Sequence, residues 1–238
     1  MANFITIAQA SAPGRGGGAN GNKDFTFSMP AVIEHEEENL EDAFGILLPK
    51  NKHRTIRRLR RKHEPSAHGT KTWESSYALM DFLLFNPPGK RARILEVGCG
   101  WGPAAVFCAR TFNSRVTGLD IDPEVFPFLD FVCELNGVQV EHRVGGFQDL
   151  KAKELARFDT VIGSDICFWD KLVKQLGVMI ERALDAGVKR VIVADPGRPT
   201  FTKMCKKLSK SVDVEVHDWY AMDPDYHQAD IAVFTARR

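Results

Sequence analysis

Apolar and polar positions follow a regular pattern from Thr72 to the end of the chain, where short apolar runs alternate with longer amphipathic stretches. Runs rich in β-branched residues predict buried strands, whereas apolar residues that recur every three to four positions predict helices. The predicted strands are residues 93–97, 115–120, 138–144, 158–164, 190–195, 212–217 and 231–235. The predicted helices are residues 73–85, 103–111, 122–136, 170–185 and 203–210.

This order of elements predicts an α/β fold with a doubly wound, Rossmann-like sheet of seven strands. Strands that alternate with helices typically form a parallel sheet that is covered on both faces. The last two strands are predicted to pair with each other as a hairpin with a long loop. The sheet is therefore expected to close with an antiparallel pair.

The chain that precedes this pattern has a different composition. Residues 11–24 are rich in Gly, Ala, Ser and Asn, which is typical of a flexible segment. We therefore divide the chain into a flexible N-terminal tail (residues 1–45), a basic N-terminal extension (residues 46–70) and an α/β domain (residues 71–238).

Two charge runs lie near the start of the chain, one acidic over residues 34–42 and one strongly basic over residues 50–63. Both are interpreted as solvated surface, or as one run pairing with the other. The alternative is that the basic run docks an acidic macromolecular partner. The basic run contains no Phe, Tyr or Trp, so stacking on single-stranded nucleic acid is not supported.

The overall composition limits the classes of partner. The chain has 32 Lys and Arg against 31 Asp and Glu, so no net charge directs it to nucleic acid or to a membrane surface. No apolar run approaches the roughly 20 residues that a membrane helix needs. Five cysteines without a C-x-x-C pair indicate reduced thiols and a cytoplasmic setting, and seven histidines without ligand spacing predict no metal site.

Residues 93–102 are the most informative stretch and read Arg-Ile-Leu-Glu-Val-Gly-Cys-Gly-Trp-Gly. A strand, a glycine turn and a helix in this order present backbone N–H groups to a ligand, and glycine lets the backbone approach closely. The spacing is G-x-G-x-G rather than the G-x-G-x-x-G of dinucleotide folds. Glu96 would place a carboxylate where a pyrophosphate would lie, so the ligand is expected to carry a cation near the turn.

Asp120 ends the second predicted strand, where a ribose diol is usually held. The glycine turn and Asp120 together resemble motif I and the following acidic motif of class I S-adenosylmethionine-dependent methyltransferases. The resemblance implies S-adenosylmethionine as the cofactor, with its methionine part at the glycine turn and its ribose at Asp120. It also implies a seven-stranded sheet whose last strand is antiparallel. The alternative is a simple tight turn in which Asp120 caps the next helix.

Three further segments resemble the seven-strand protein lysine methyltransferases (methyltransferase family 16). Residues 164–168 read Ser-Asp-Ile-Cys-Phe and are similar to the Asp-x-x-Tyr motif, while residues 71–75 are similar to the tryptophan motif before motif I. Residues 195–199, Asp-Pro-Gly-Arg-Pro, resemble the segment after the fifth strand. The Asn/Asp-Pro-Pro-aromatic motif of many amino-methyltransferases is missing after the fourth strand, which argues against nucleobase and glutamine-amide methylation.

These resemblances imply a set of site residues. Those expected at the cofactor are Trp73, Glu96, Gly98, Cys99, Gly100, Asp120, Phe147 and Ser164. Asp165 is expected to face the methyl-accepting amine, and Phe168 to form an aromatic wall for it. Phe168 stands where the family has tyrosine, so the wall is kept but the hydroxyl hydrogen bond is lost.

Each of these assignments has a structural alternative. Trp73 could be a core residue of its helix, and Phe147 could cap the sheet. Asp165 could be the N-cap of the helix that follows it. Asp195 and Arg198 could pair with each other around a rigid turn.

The sequence therefore predicts a cytoplasmic S-adenosylmethionine-dependent N-methyltransferase that methylates a protein lysine by direct in-line transfer. Its partner is expected to be a protein, with no membrane, no metal and no nucleic acid. A small-molecule amine is the alternative acceptor, and a non-catalytic cofactor-binding module is the alternative function. The sequence makes no prediction about the oligomeric state.

Overall fold

A seven-stranded sheet lies at the centre of the computed structural model, which describes residues 39–66 and 68–237. In chain order the strands are β1 (Leu40–Ala43), β2 (Ile46–Pro49), β3 (Arg93–Val97), β4 (Arg115–Asp120), β5 (Glu141–Val144), β6 (Thr160–Ser164), β7 (Arg190–Asp195), β8 (Asp213–Ala221) and β9 (His227–Thr235). The order in the sheet is β5-β4-β3-β6-β7-β9-β8. β3 to β7 run parallel, and β9 runs antiparallel to both β7 and β8. The predicted fold class is confirmed.

Helices cover both faces of this sheet. They are α1 (Arg54–Leu59), α2 (Ser75–Phe85), α3 (Pro103–Phe112), α4 (Phe126–Asn136), α5 (Ala152–Leu155), α6 (Asp170–Asp185) and α7 (Pro199–Leu208). Successive strand residues point to opposite faces, so Ile94 joins the apolar cluster beneath α2, α3 and α4, while Leu95 joins the cluster beneath α6 and α7. Within the described ranges, no helix is long and apolar enough to cross a membrane.

The closing hairpin differs in length from its prediction. β8 and β9 pair along their whole lengths from Asp213 opposite Thr235 to Ala221 opposite His227. The connection is therefore residues 222–226 rather than a long loop. Trp219 and Tyr220 extend β8 because aromatic residues suit a half-buried strand, although two adjacent aromatic residues do not follow a simple alternating pattern.

The first two strands form a separate hairpin that the sequence did not predict. Phe44 and Gly45 adopt φ values of 53° and 74°, as the tight turn of a two-residue hairpin requires. Asn136 at the end of α4 holds β2, since its amide both accepts from the Leu47 N–H and donates to the Leu47 carbonyl at 2.8 Å. Residues 39–45 are thus part of a hairpin, and the predicted tail boundary at residue 45 falls inside its turn. The glycine-rich stretch and acidic residues 34–38 lie outside the described residues.

Candidate functional site

The glycine turn after β3 has the backbone that only glycine adopts readily. Gly98, Gly100 and Gly102 have φ values of 66°, 52° and 66°, in the left-handed region. A Cβ on Gly98 would lie 2.6 Å from the Ile166 Cγ2 atom, and one on Gly102 would overlap the Leu129 Cδ1 atom. A Cβ on Gly100 would meet no atom within 4 Å. All three positions favour glycine through their backbone geometry, and packing also requires it at Gly98 and Gly102. At Gly100 the space in front of the turn is free.

Asp120, at the end of β4, holds this turn in place. Its Oδ2 accepts a hydrogen bond from the Gly100 N–H at 2.9 Å, and its Oδ1 accepts from the Asp122 N–H at 3.0 Å. Burial raises the pKa of the Asp120 carboxyl. The following 3₁₀ turn is capped by Asp122, whose Oδ1 accepts from the Glu124 N–H at 2.9 Å. The alternative in which Asp120 itself caps that element does not hold.

The structure corrects the predicted role of Glu96 as a residue of the cofactor site. Its side chain is 1% exposed and points into the interior, where its Oε2 accepts a hydrogen bond from the Ala105 N–H in the first turn of α3 at 2.9 Å. Burial raises the pKa of this carboxyl to about 8, so the group is mostly protonated at neutral pH. It satisfies one of the unpaired N–H groups at the start of the helix. The expectation that Glu96 repels an anionic ligand was therefore wrong.

A cavity of about 590 Å³ opens at the carboxyl edge of the sheet, beside the glycine turn. Its volume lies within the range of roughly 300–1,000 Å³ that is usual for small-molecule and cofactor sites. The predicted site residues that line it are Trp73, Gly98, Cys99, Gly100, Asp120, Phe147, Ser164, Asp165 and Phe168. Glu96 is the one predicted member that does not line this cavity, because its side chain lies beneath α3.

Asp165, directly after β6, is buried and held from two sides. It is 5% exposed and has a φ of 53°, which is uncommon for a residue other than glycine. Its Oδ1 accepts from the Arg198 Nη2 atom and its Oδ2 from the Ser75 N–H, both at 3.0 Å. Asp165 therefore caps the start of α2. It does not cap the helix that follows it, whose cap position is Trp169 without a side-chain bond.

Arg198 joins two buried carboxylates. Its Nη1 lies 2.7 Å from the Asp195 Oδ2 atom, and its backbone N–H donates to the Asp195 Oδ1 atom at 2.7 Å. The expected pairing of Asp195 with Arg198 is therefore present, and the contact with Asp165 extends it. Burial raises the pKa of Asp195. A buried carboxylate needs such a partner because desolvation of an unpaired charge is costly.

Phe168 forms part of an aromatic wall on the same side of the cavity. The ring of His68 stacks on it at a centroid distance of 4.2 Å, and Trp73 meets it edge to face at 5.5 Å. The Cζ atom of Arg198 lies 4.4 Å from the Phe168 ring centre. Trp169 is the next member of the wall and stays 55% exposed at the mouth.

Sequence reasoning missed His68 and Trp101. His68 lies in the predicted basic extension, and its buried Nδ1 atom has no hydrogen-bond partner among residues 39–66 and 68–237. Trp101 lies in the glycine turn, and its Nε1 donates to the Gly69 carbonyl at 2.9 Å, so residues 68–73 fold against the turn. The apolar tryptophan between two glycines could have indicated a packing contact. No local pattern marks His68, because its neighbours at the site come from distant parts of the chain.

The donor set and the shape of the cavity fit S-adenosylmethionine. The Asp120 carboxylate can accept from ribose hydroxyls, and the open space before Gly100 admits the backbone of an amino-acid portion. Phe147 and Ile121 provide apolar surface for an aromatic ring system beside Asp120. Asp120 also places a carboxylate in the cavity lining, which suits a ligand that carries a positive sulfonium.

Comparisons with known proteins agree with this geometry. Residues 94–187 match the family model described as a methyltransferase domain. Electron transfer flavoprotein beta subunit lysine methyltransferase from Homo sapiens is 30% identical over 135 residues, or 55% of this chain and 49% of that protein. The Xenopus laevis protein of the same name is 30% identical over 136 residues, or 55% and 52%. The chain thus spans about half the length of these curated relatives.

Solved structures share the fold. A TehB-like SAM-dependent methyltransferase from Corynebacterium glutamicum superposes with a TM-score of 0.50 at 18% identity, covering 77% of this chain and 96% of that one. EvdMO1 gives a TM-score of 0.54 at 19% identity, covering 77% and 47%. Residues 94–187 are a methyltransferase domain, and the predicted resemblance to class I S-adenosylmethionine-dependent methyltransferases is confirmed.

Proposed function

We propose that this protein transfers a methyl group from S-adenosylmethionine to the amine of a lysine side chain in a protein. The observation that carries the proposal is the position of Asp165, a buried carboxylate that lines the same cavity as the glycine turn. The sequence relatives that are named as lysine methyltransferases support the same acceptor.

The two ends of the cavity have separate tasks. Asp120 and the glycine turn hold the cofactor, which supplies an electrophilic methyl group when it is bound. Asp165 can accept hydrogen bonds from the acceptor amine, because each carboxylate oxygen keeps a lone pair beyond its bonds to Arg198 and Ser75. Arg198 fixes the orientation of that carboxylate. Catalysis then rests mainly on holding the amine in line with the methyl group.

The acceptor amine must be neutral when it reacts, since a free lysine has a pKa of about 10.4 and its ammonium form has no lone pair. The aromatic wall excludes water from this side of the cavity, and desolvation favours the neutral form of an amine. The same rings favour the methylated cationic product through cation–π contact. Phe168 supplies ring surface here without the hydroxyl that a tyrosine would bring.

The mouth of the cavity favours a macromolecular acceptor. Trp169 is 55% exposed there and lies next to the Phe168 ring of the aromatic wall. An apolar surface that continues from a site to its rim suits contact with a partner. A small amine enclosed within the cavity would leave Trp169 in water.

The test combines purified protein, isotopically labelled S-adenosylmethionine and the electron transfer flavoprotein β subunit named by the relatives, with mass spectrometry of the lysines. Asp165→Ala and Asp165→Asn should abolish turnover and leave cofactor binding by calorimetry nearly intact. Asp218→Asn, which removes an exposed carboxylate on β8, is the matched control and should turn over normally. Equal loss of turnover and cofactor binding in the Asp165 variants would contradict the role of Asp165.

The same assay separates the alternatives. Label that appears in small-molecule amines of a cell extract and in no protein would replace the lysine proposal with a small-molecule acceptor. Calorimetry without any heat from S-adenosylmethionine would contradict the cofactor site itself.

A further inference from the structure

The first helix carries an exposed row of cations, here called the basic stripe. Its members are Arg54, Arg57, Arg58 and Arg61. Their spacing of i, i+3, i+4 and i+7 places them on one side of α1 and the turn that follows it. The opposite side is anchored in the protein, because Ile56 is buried in the core and the His53 ring packs against Phe131 at a centroid distance of 5.1 Å. The stripe therefore has a fixed outward orientation.

The basic stripe opposes the stability of its own helix. Arg54 and Arg58, and likewise Arg57 and Arg61, are like charges four residues apart, which destabilise a helix. The first turn contains no acidic residue that would complement the helix dipole. The side chains of Arg57, Arg58 and Arg61 are exposed and form no ion pair within residues 39–66 and 68–237. Arg57 and Arg58 lie in the last turn, where cations suit the helix dipole, but the dipole does not account for Arg54 in the first turn, whereas an external anionic surface would account for the whole row.

The basic stripe also lies beside the cavity wall. Arg60, next to Arg61, donates from its Nη2 atom to the Thr70 carbonyl at 2.5 Å. The Arg60 Cζ atom lies 5.9 Å from the Trp101 ring centre. Trp101 and Gly69 both line the cavity. Helix α1, which carries the stripe on its outer side, therefore contacts a residue of the cavity wall through Arg60.

We propose that the basic stripe docks an acidic surface of the protein whose lysine enters the cavity. This inference rests on the proposed function, because it names the kind of substrate that the same site takes. An acidic protein is favoured over a nucleic acid, since residues 50–63 contain no Phe, Tyr or Trp to stack on bases. Charges at the rim of an interface act mainly on encounter and on salt dependence, so the stripe should lower KM and leave kcat unchanged.

The first experiment measures docking without methyl transfer. A fluorescent peptide of ten glutamates is titrated with the full chain at low salt and followed by anisotropy. The triple variant Arg57→Gln, Arg58→Gln, Arg61→Gln should bind this probe about tenfold more weakly, because each exposed ion pair contributes a modest amount. The difference should disappear near 1 M salt, where charges are screened within about 3 Å.

The matched control is a second row of exposed lysines on α7, which packs on the other face of the sheet. The variant Lys203→Gln, Lys206→Gln, Lys207→Gln removes the same three charges and should bind the probe within about twofold of the unchanged protein. Equal weakening by both triple variants would mean a general effect of net charge and would overturn the proposal.

Two further outcomes would also overturn it. Tighter binding of mixed-sequence duplex DNA than of the glutamate peptide would assign the stripe to nucleic acid. A marked gain in probe affinity after Glu34, Glu36, Glu37 and Glu38 are changed to Gln would show that the chain's own acidic run is its partner.

The second experiment measures methyl transfer to a protein acceptor and to a short neutral peptide with the same lysine. The arginine triple variant should raise KM for the protein about tenfold, leave its kcat unchanged and leave the peptide unaffected. An equal change for protein and peptide would contradict docking at the stripe. A protein that binds the glutamate probe through the stripe but methylates no lysine would contradict the proposed function alone.

Discussion

Replacing Glu96 with Gln should remove a pH-dependent loss of stability from the fold. Glu96 is fully buried between β3 and α3, and its Oε2 accepts from the Ala105 N–H. Burial raises its pKa from an ordinary 4.5 to about 8. The folded protein therefore keeps a proton on Glu96 that the unfolded chain releases above pH 4.5, so folding becomes less favourable as the pH rises towards 8.

The size of the effect follows from these two values. Each pH unit between them costs about 1.4 kcal/mol of unfolding free energy. Between pH 5 and pH 7 the protein with Glu96 should lose about 3 kcal/mol relative to Glu96→Gln, and above pH 8 the difference should level off. Glutamine has the shape of the protonated acid and keeps an oxygen to accept from Ala105.

Urea unfolding at several pH values between 5 and 9 measures this difference. Glu134→Gln on the exposed side of α4 is the matched control, and its stability should change with pH in parallel with the unchanged protein. A constant difference between Glu96→Gln and the unchanged protein from pH 5 to pH 7 would refute the reasoning, because Glu96 would then be ionised in the folded state.

Three further changes test the site. Arg198→Met should destabilise the protein by about 3 kcal/mol in urea unfolding, because it leaves two buried carboxylates without their cation; an unchanged midpoint would contradict this. Gly98→Ala should cost about 3 kcal/mol from its positive φ and its clash with Ile166, and a smaller cost in an Ile166→Ala background would identify the part due to the clash. Phe168→Tyr should preserve or raise the methylation rate in the labelled-cofactor assay, and an inactive but folded variant would count against a lysine acceptor.

The sequence predicted the sheet well because buried strands carry a local signal. The runs that became β3, β4, β6 and β7 are rich in Val, Ile and Leu. Strands that are buried on both faces of a sheet typically show such nearly continuous apolar runs. β1 and β2 were not predicted because each has four residues. Four residues are too few to show the alternation of apolar and polar positions that indicates a strand. Their stability comes from the Asn136 side chain and from the burial of Ala43, Ile46 and Leu48 in the core, which are contacts with distant parts of the chain.

Nine of the ten predicted site residues line the cavity, because glycine positions and strand ends are local features of the sequence. A motif does not specify which way a side chain points. Glu96 follows Leu95 along β3 and therefore points to the opposite face, beneath α3. The structural alternative for Asp165 was a cap on the next helix, but Asp165 caps α2, a helix whose first residue lies 90 positions earlier in the chain.

The sequence by itself determined the fold class, the glycine turn and the residues at the carboxyl ends of the strands, because period and backbone preference act over a few neighbouring residues. Tertiary structure alone decided the bridge from Arg198 to Asp165, the His68 ring on Phe168 and the position of the basic stripe beside the cavity. These contacts join residues that are far apart in the chain. They depend on how whole elements pack, and no local pattern of residues specifies that packing.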